Sequence, residues 1–368
     1  MADIIFSVMN IDFLSIPAAC GNNAFHPAVA VLSENHLLMS FQRIFSSDCY
    51  GACEFCESFD GGRSWSEARG VPGFESKVVA GDYVIGIADV RCFTFPDKRH
   101  VLFIGCTARY HKKKIEDFSD IVRGSYYTVY DSKEKRFHPV RMLADSYVEW
   151  RAACTQLYFT GKREFLLPIY FGINPPNPRF AVQVLKISLS DSFEIASVTE
   201  GNSMTNTIGR GLIEPSIVRH GNRFFLTIRA EDGNGYFAVS DDGLNFASPQ
   251  KWMFDDGSEF VTSSTQQHWF CLDDKLYLAY TRKSCGNVEV FRYRAPLWAS
   301  EVIVDGEKLR LKKSAETIIL PMKKRNSDTG LCGNFHTVGC RNDSIISDAC
   351  IFADSGMQTE VCIAKVTP

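Results

Sequence analysis

The sequence predicts an all-β protein, a six-bladed β-propeller of four-stranded antiparallel blades, and three observations carry that expectation. The first is a unit that occurs six times: a polar leading residue, an apolar strand, a short turn and a second apolar strand. The second is the spacing of these units, about 50–70 residues, the length of a four-stranded blade. The third is the segment Ser58-Phe59-Asp60-Gly61-Gly62-Arg63-Ser64-Trp65, which reads S-x-D-x-G-x-x-W. Asp60 can accept from backbone N–H groups two or three residues on and close the turn. Gly61 and Gly62 allow positive φ, and Trp65 can fill the gap between two layers of sheet. A shorter copy reads Ser240-Asp241-Asp242-Gly243-Leu244-Asn245-Phe246.

Taken in order, the first unit runs from His26 to Leu32, turns at Ser33 to Asn35 and returns through Leu37-Leu38-Met39. The second starts at Asp89, turns at Asp97-Lys98-Arg99 and returns through Val101 to Ile104. The third starts at Cys154 to Gln156, turns at Gly161-Lys162 and returns through Phe165-Leu166-Leu167. The fourth starts at Glu214, turns at His220-Gly221-Asn222 and returns through Phe224 to Ile228. The fifth starts at Gln266-Gln267-His268, turns at Asp273-Asp274 and returns through Leu276-Tyr277-Leu278. The sixth starts at Asn334 to His336, turns at Arg341-Asn342-Asp343 and returns through Ser344-Ile345-Ile346. Six units fill the chain as a single domain, 1–368, with seven blades as the nearest rival. Pro175, Pro176 and Pro178 mark a loop and not a domain boundary.

With 45% hydrophobic and 23% charged residues and a net charge of −3, the 368-residue chain has an ordinary globular composition. Its charge balance offers no footprint for nucleic acid. The basic run His111-Lys112-Lys113-Lys114 reads as a solvated loop. No run of 18 apolar residues suggests a membrane span. Met1 to Phe6 lacks a basic start and a long apolar core, so a cytoplasmic protein is expected. Thirteen cysteines then read as free thiols. Cys49, Cys53 and Cys56 have the C-x3-C-x2-C spacing of an iron–sulfur ligand set, but a strand would turn Cys53 and Cys56 to opposite faces. No zinc spacing stands out, and no cofactor or metal is called for.

In a propeller the innermost strands converge on the central axis, and their first residues line one mouth of the channel. His26, Asp89, Gln156, Glu214, Gln267 or His268, and His336 would gather there. Core packing gives no reason for six polar residues at equivalent places.

On these residues the chain resembles the sialidase superfamily over nearly its whole length, as a divergent member. The segment around Asp60 resembles the Asp box of sialidase-like propellers. Glu214-Pro215-Ser216-Ile217-Val218 followed by Arg229 is similar to the sialidase Glu that polarises the nucleophile and an Arg of the substrate-carboxylate clamp. A guanidinium suits that clamp because it donates two parallel hydrogen bonds. In Arg292-Tyr293-Arg294-Ala295-Pro296, Arg292 or Arg294 would be another clamp residue, with Arg282 as competitor. Gln42-Arg43 followed by Asp48 is similar to the substrate-binding Arg and acid/base Asp of the family. Two departures stand out. Phe25-His26-Pro27 puts a histidine where sialidases carry the first clamp Arg, and Gly333-Asn334-Phe335-His336 has no Tyr where they carry the nucleophile.

The resemblance implies an exo-acting glycoside hydrolase for an acidic, sialic or uronic acid-containing glycan. Asp48 and Glu214 would be its carboxylate pair, His26 a further acid/base group, and Arg43, Arg229 and Arg292 or Arg294 its sugar-holding cations. A second reading is a polysaccharide lyase or His-dependent exo-glycosidase, in which His26 or His268 takes the proton beside a uronate carboxylate. Thr265-Gln266-Gln267-His268-Trp269 would set an aromatic beside polar groups there. A third is a carbohydrate-binding propeller without catalysis. The expected partner in all three is a carbohydrate.

Overall fold

In the computed structural model, residues 9–75, 77–80, 83–111, 114–115, 124–143, 151–152, 154–173, 179–339 and 342–368 are described. The loop with Pro175, Pro176 and Pro178, and Lys112 and Lys113 of the basic run, lie outside them. The structure is all-β, and six antiparallel sheets form a six-bladed propeller. The first blade is the meander Ala24–Val31, Leu37–Ser46, Cys49–Ser58, Arg69–Gly70. The second is built on Tyr83–Thr94, His100–His111 and Ser125–Asp131, and the third on Tyr158–Phe159, Glu164–Gly172, Phe180–Leu189 and Ile195–Glu200. The fourth is Ile213–His220, Arg223–Arg229, Gly235–Ser240 and Gln250–Lys251. The fifth is built on His268–Leu272, Lys275–Tyr280, Leu297–Asp305 and Lys308–Leu311.

The sixth blade, His336–Gly339, Ser344–Phe352 and Gln358–Thr367, takes its outermost strand from the start of the described chain. Asn10–Phe13 pairs antiparallel with it, Asn10 opposite Thr367 and Phe13 opposite Ala364. Pairing the two ends of the chain in one sheet ties the ring shut, with Asn10–Phe13 as the outer strand of the sixth blade.

Period-2 alternation explains the packing between blades, because each strand buries one face against each neighbouring blade. Phe55, Phe103 and Tyr130 interlock between the first and second blades. Trp252 and Trp269 meet between the fourth and fifth with ring centroids 5.6 Å apart. Cys53 and Cys56, both buried, belong to different interblade cores on opposite faces of one strand.

The turn at Asp60 closes through hydrogen bonds that Arg63 N (3.0 Å) and Ser64 N (2.9 Å) donate to its Oδ1. Gly62 N donates to Ser58 Oγ at 2.8 Å, with φ at 88°. The shorter copy is built the same way: Leu244 N and Asn245 N donate to Asp242 Oδ1, and Gly243 N to Ser240 Oγ. Trp65 is half-buried and ties its Nε1–H to Ser15 O at 2.9 Å.

One turn carries a pH-dependent part of the stability. Asp131, buried at the end of a second-blade strand, accepts from Arg99 Nε (2.8 Å) and Nη2 and from the backbone N–H groups of Lys133 and Glu134. The Arg99 bonds, with those two amides, hold its carboxyl well below the usual range against the effect of burial. A depressed folded pKa stabilises above the unfolded value of about 4 and is lost as pH falls through the folded one. Asp131→Asn is expected to cost about 1.5–3 kcal/mol at neutral pH. Chemical denaturation as a function of pH should show wild type and variant converging below about pH 4.

Candidate active site

The six leading segments share a backbone feature that their side chains do not reveal. His26 (φ 52°), Asp89 (55°), Cys154 (53°), Glu214 (48°) and Ser264 (51°) are all left-handed, and Gly333 (110°) occupies that region before the sixth blade's first strand. Pairing registers shift between Phe25 and Ala28, Ala88 and Arg91, and Ile213 and Ser216. Each is a bulge in an innermost strand, and a bulge re-aims the residue it carries. Left-handed non-glycine residues are uncommon and cluster where the surrounding fold over-determines them.

The chemistry gathers in a cavity of about 530 Å³ at this mouth, walled by Asp48, Tyr50, Asp89, Arg151, Cys154, Tyr170, Arg210, Glu214, Arg229, Glu231, Arg292, Arg294 and Asn334 among others. A larger hollow of about 760 Å³ opens at the other end of the axis, among the turns holding Lys98, His220 and Asp274. The smaller cavity holds the carboxylates and guanidinium groups, so we take it as the site.

Within it, Glu214 and Arg229 form a largely buried ion pair, with Arg229 Nη1 at 2.7 Å from both Glu214 Oε1 and Oε2. Arg229 Nε donates to Ser264 Oγ at 3.1 Å. Arg294 donates Nε–H to Cys332 O at 2.6 Å. Burial, and then the neighbouring Arg229 cation, push its guanidinium below its ordinary value. Arg229 and Arg294 thus share the cavity wall, with the Arg229 charge held by Glu214 and still disfavouring that of Arg294. Arg210 is held by Glu231, Nε to Oε1 at 2.7 Å. Asp48 sits exposed on the turn between the second and third strands of the first blade, within reach of Tyr50 Oη (3.3 Å) and Ser47 Oγ (3.4 Å). Burial pushes the Asp89 carboxyl up to about 6 against the pull of Arg91, with Asp48 and Glu214 adding to the rise.

Of the residues named from sequence, the fold brings Asp48, Asp89, Glu214, Arg229, Arg292 and Arg294 to the cavity wall. It does not bring the others, and each has a physical reason. Arg43 spends its donors on Glu54 Oε2 (2.6 Å), Ala19 O (2.7 Å), Cys20 O (2.8 Å) and Asn23 Oδ1 (3.2 Å), fastening a loop to the first blade. Arg282 is paired with Glu316 and stacked over Trp298, 4.8 Å from the ring centroid. His26 is buried behind the wall against Phe25 and Tyr50, and burial keeps its ring neutral. His268 is buried with Nδ1 2.8 Å from Ser216 Oγ. Burial, reinforced by Arg91, pushes the buried His336 down to about 3. Gln156 reaches across the axis to Trp269 O (2.8 Å) and accepts from Trp269 N (2.9 Å), lining the opposite hollow. Gln267 accepts from Thr227 Oγ1 at 2.8 Å between the fourth and fifth blades.

Sequence reasoning missed Tyr50, Arg151, Tyr170, Arg210, Glu231 and Asn334 as wall residues. Tyr170 had a usable signal: it stands near the end of the third blade's returning strand, the place that Arg229 takes in the fourth. Burial raises its phenol well above the ordinary value, with Arg151 opposing and Glu214 adding to the shift.

No protein-family model and no curated protein matches this chain. Solved structures do. A protein of unknown function from Dyadobacter fermentans aligns over 98% of this chain and 99% of its own, at 12% identity and TM-score 0.64. The intramolecular trans-sialidase from Ruminococcus gnavus, solved with oseltamivir carboxylate, aligns over 96% of each chain at 10% identity and TM-score 0.64. Trypanosoma rangeli sialidase in complex with sialic acid aligns over 97% of this chain but 57% of its own, at 9% identity and TM-score 0.64. No helix among the described residues is long and apolar enough to cross a membrane. The likeness to these neighbours is one of architecture, and in architecture the chain is a divergent six-bladed β-propeller of the sialidase fold.

Proposed function

We propose that this chain is a glycoside hydrolase that grips a sugar through its carboxylate at the mouth of the propeller. The observation that carries the reading is the gathering of Arg229, Arg292 and Arg294 at one cavity wall, with Arg229 held by Glu214 and the buried Arg294 donating its Nε–H to Cys332 O. A guanidinium pair in low dielectric binds a planar carboxylate with charge-assisted, bidentate hydrogen bonds. Arg292 stands at the same wall and supplies further positive charge.

Asp48 is the proton donor in this reading: it lies on an exposed turn, where a general acid can meet the leaving-group oxygen. Glu214 keeps Arg229 oriented and directs negative charge toward the reacting centre. Tyr170, in the wall with Arg151 and Glu214, offers the hydroxyl missing from the Gly333–His336 segment; burial keeps its phenol protonated, so it takes the nucleophile's place in the proposal with Glu214 accepting its proton. The neighbours' names, sialidase and trans-sialidase, support sialic acid as the first sugar to try. A lyase that uses His26 or His268 as base draws no support from their burial behind the wall.

The test is turnover of chromogenic α-sialosides and β-glucuronides against neutral hexosides. The reading expects cleavage of an acidic glycoside only, reduced by orders of magnitude in Asp48→Asn and Tyr170→Phe. Cleavage of neutral glycosides at equal rate would sink it. An unsaturated, ultraviolet-absorbing product would replace hydrolysis by elimination.

A further inference from the structure

We propose that His26, Asp89 and Cys154 form a binding site for a divalent transition-metal ion, zinc foremost, on the floor of the charged cavity. The three are the left-handed leading residues of the first three blades, and register shifts beside His26 and Asp89 mark a bulge at two of them. A ligand atom from each lies within 4.8 Å of the other two, and no other such group of His, Cys, Asp or Glu stands among the described residues. Their distance apart along the chain, about one blade each, is why no short metal motif shows in the sequence.

The separation of His26 Nε2 and Asp89 Oδ1 is 3.4 Å. That is longer than the ~2.7–2.9 Å of a charge-assisted hydrogen bond. It is the edge of a tetrahedron around an ion with bonds of about 2.0–2.1 Å to nitrogen and oxygen, roughly 3.3–3.4 Å. Nitrogen, carboxylate and thiol donors together suit a borderline ion such as zinc, whereas calcium and magnesium require oxygen. Supporting groups are also in place. Arg91 Nη2 lies 3.7 Å from Cys154 Sγ, where it would donate to a thiolate. Cys106 points its S–H at Asp89 Oδ2 (3.9 Å), leaving Oδ1 for the ion. Phe25 and Tyr50 pack against the His26 ring at centroid distances of 4.2 and 4.8 Å and restrict its movement. Such outer contacts orient ligands and tune affinity. Asp89 and Cys154 are wall residues, so an ion held by them would border the cavity, as in an open site. The site shares that cavity with the proposed glycan site but stands on its own geometry.

Cobalt(II) titration of chelator-treated protein tests the proposal without reading turnover, so its failure is separate from failure of the glycosidase reading. The expected result is uptake of about one equivalent, displaced by zinc, with a sulfur-to-cobalt absorption band in the near ultraviolet. Cys154→Ser removes the band. His26→Gln weakens binding by more than ~100-fold, beyond the ~10–100-fold typical of losing an outer partner. Cys285→Ser, at an exposed cysteine, changes neither. Wild-type protein without a band, or a band that survives Cys154→Ser at unchanged affinity, overturns the proposal. X-ray absorption on the zinc-loaded wild type decides it if the variants do not fold. A shell with a single sulfur beside nitrogen and oxygen supports the site, and an all-oxygen or many-sulfur shell overturns it.

Discussion

Arg294→Met is expected to weaken binding of carboxylate-bearing sugars by at least ~100-fold, about 2.7 kcal/mol, while changing the stability of the free protein by no more than about 1 kcal/mol. The two effects separate because of where this guanidinium sits. Its hydrogen bond to Cys332 O is worth about 1 kcal/mol net. Against that stand its desolvation and the repulsion from Arg229, which both disfavour its charge when no ligand is present. An unbranched apolar side chain of similar length fills the volume, loses the hydrogen bond and relieves the repulsion. A bound carboxylate reverses the balance, since the cation is then paired in a low dielectric and its loss strands the ligand's charge. Calorimetric titration with sialic and glucuronic acids, a neutral hexose control and a thermal melt would check both halves. Unchanged affinity for the acids would remove Arg294 from the site.

Arg229→Met should do the opposite to stability. Glu214 and Arg229 have side chains only 13% and 12% exposed, and the arginine meets both carboxylate oxygens. Removing the cation leaves a nearly buried carboxylate with its largest partner gone, a loss of about 3–5 kcal/mol. The double variant Glu214→Gln/Arg229→Met removes both charges and should recover most of it, since an apolar or neutral pair in such a place is often as stable as the ion pair. Denaturation midpoints of the two single variants and the double close the cycle. A single variant as stable as wild type would show that water reaches the pair far more than its burial implies.

These two arginines also show what could be read along the chain. Strand, turn and strand alternate in the fourth unit with enough local pattern that Glu214 and Arg229 fall at matching ends of paired strands, and their meeting follows from hairpin geometry alone. The same holds for Asp48, which a tight turn at the end of two long strands carries to the mouth. Arg43 and Arg282 carry equal charge at similar places in their blades, yet they face Glu54 and Glu316. Glu54 lies in the strand paired with that of Arg43, so this meeting too follows from hairpin geometry, whereas Glu316 stands 34 residues beyond Arg282 and nothing local marks it as the partner. The buried histidines make the same point. His26, His268 and His336 occupy leading segments as polar as that of Glu214, but all three are buried among neighbouring blades.

Sequence by itself determined the all-β class, the six units, the turns at Asp60 and Asp242 and the polar leading segments, since all of these rest on periodicity and turn chemistry within a few residues. The tertiary structure alone decided the closure of the ring by Asn10–Phe13 and the meeting of Arg229 and Arg294 at one cavity wall. It also decided the convergence of His26, Asp89 and Cys154. Each of these joins residues one or more blades apart, and only the closed circle of blades sets their distance.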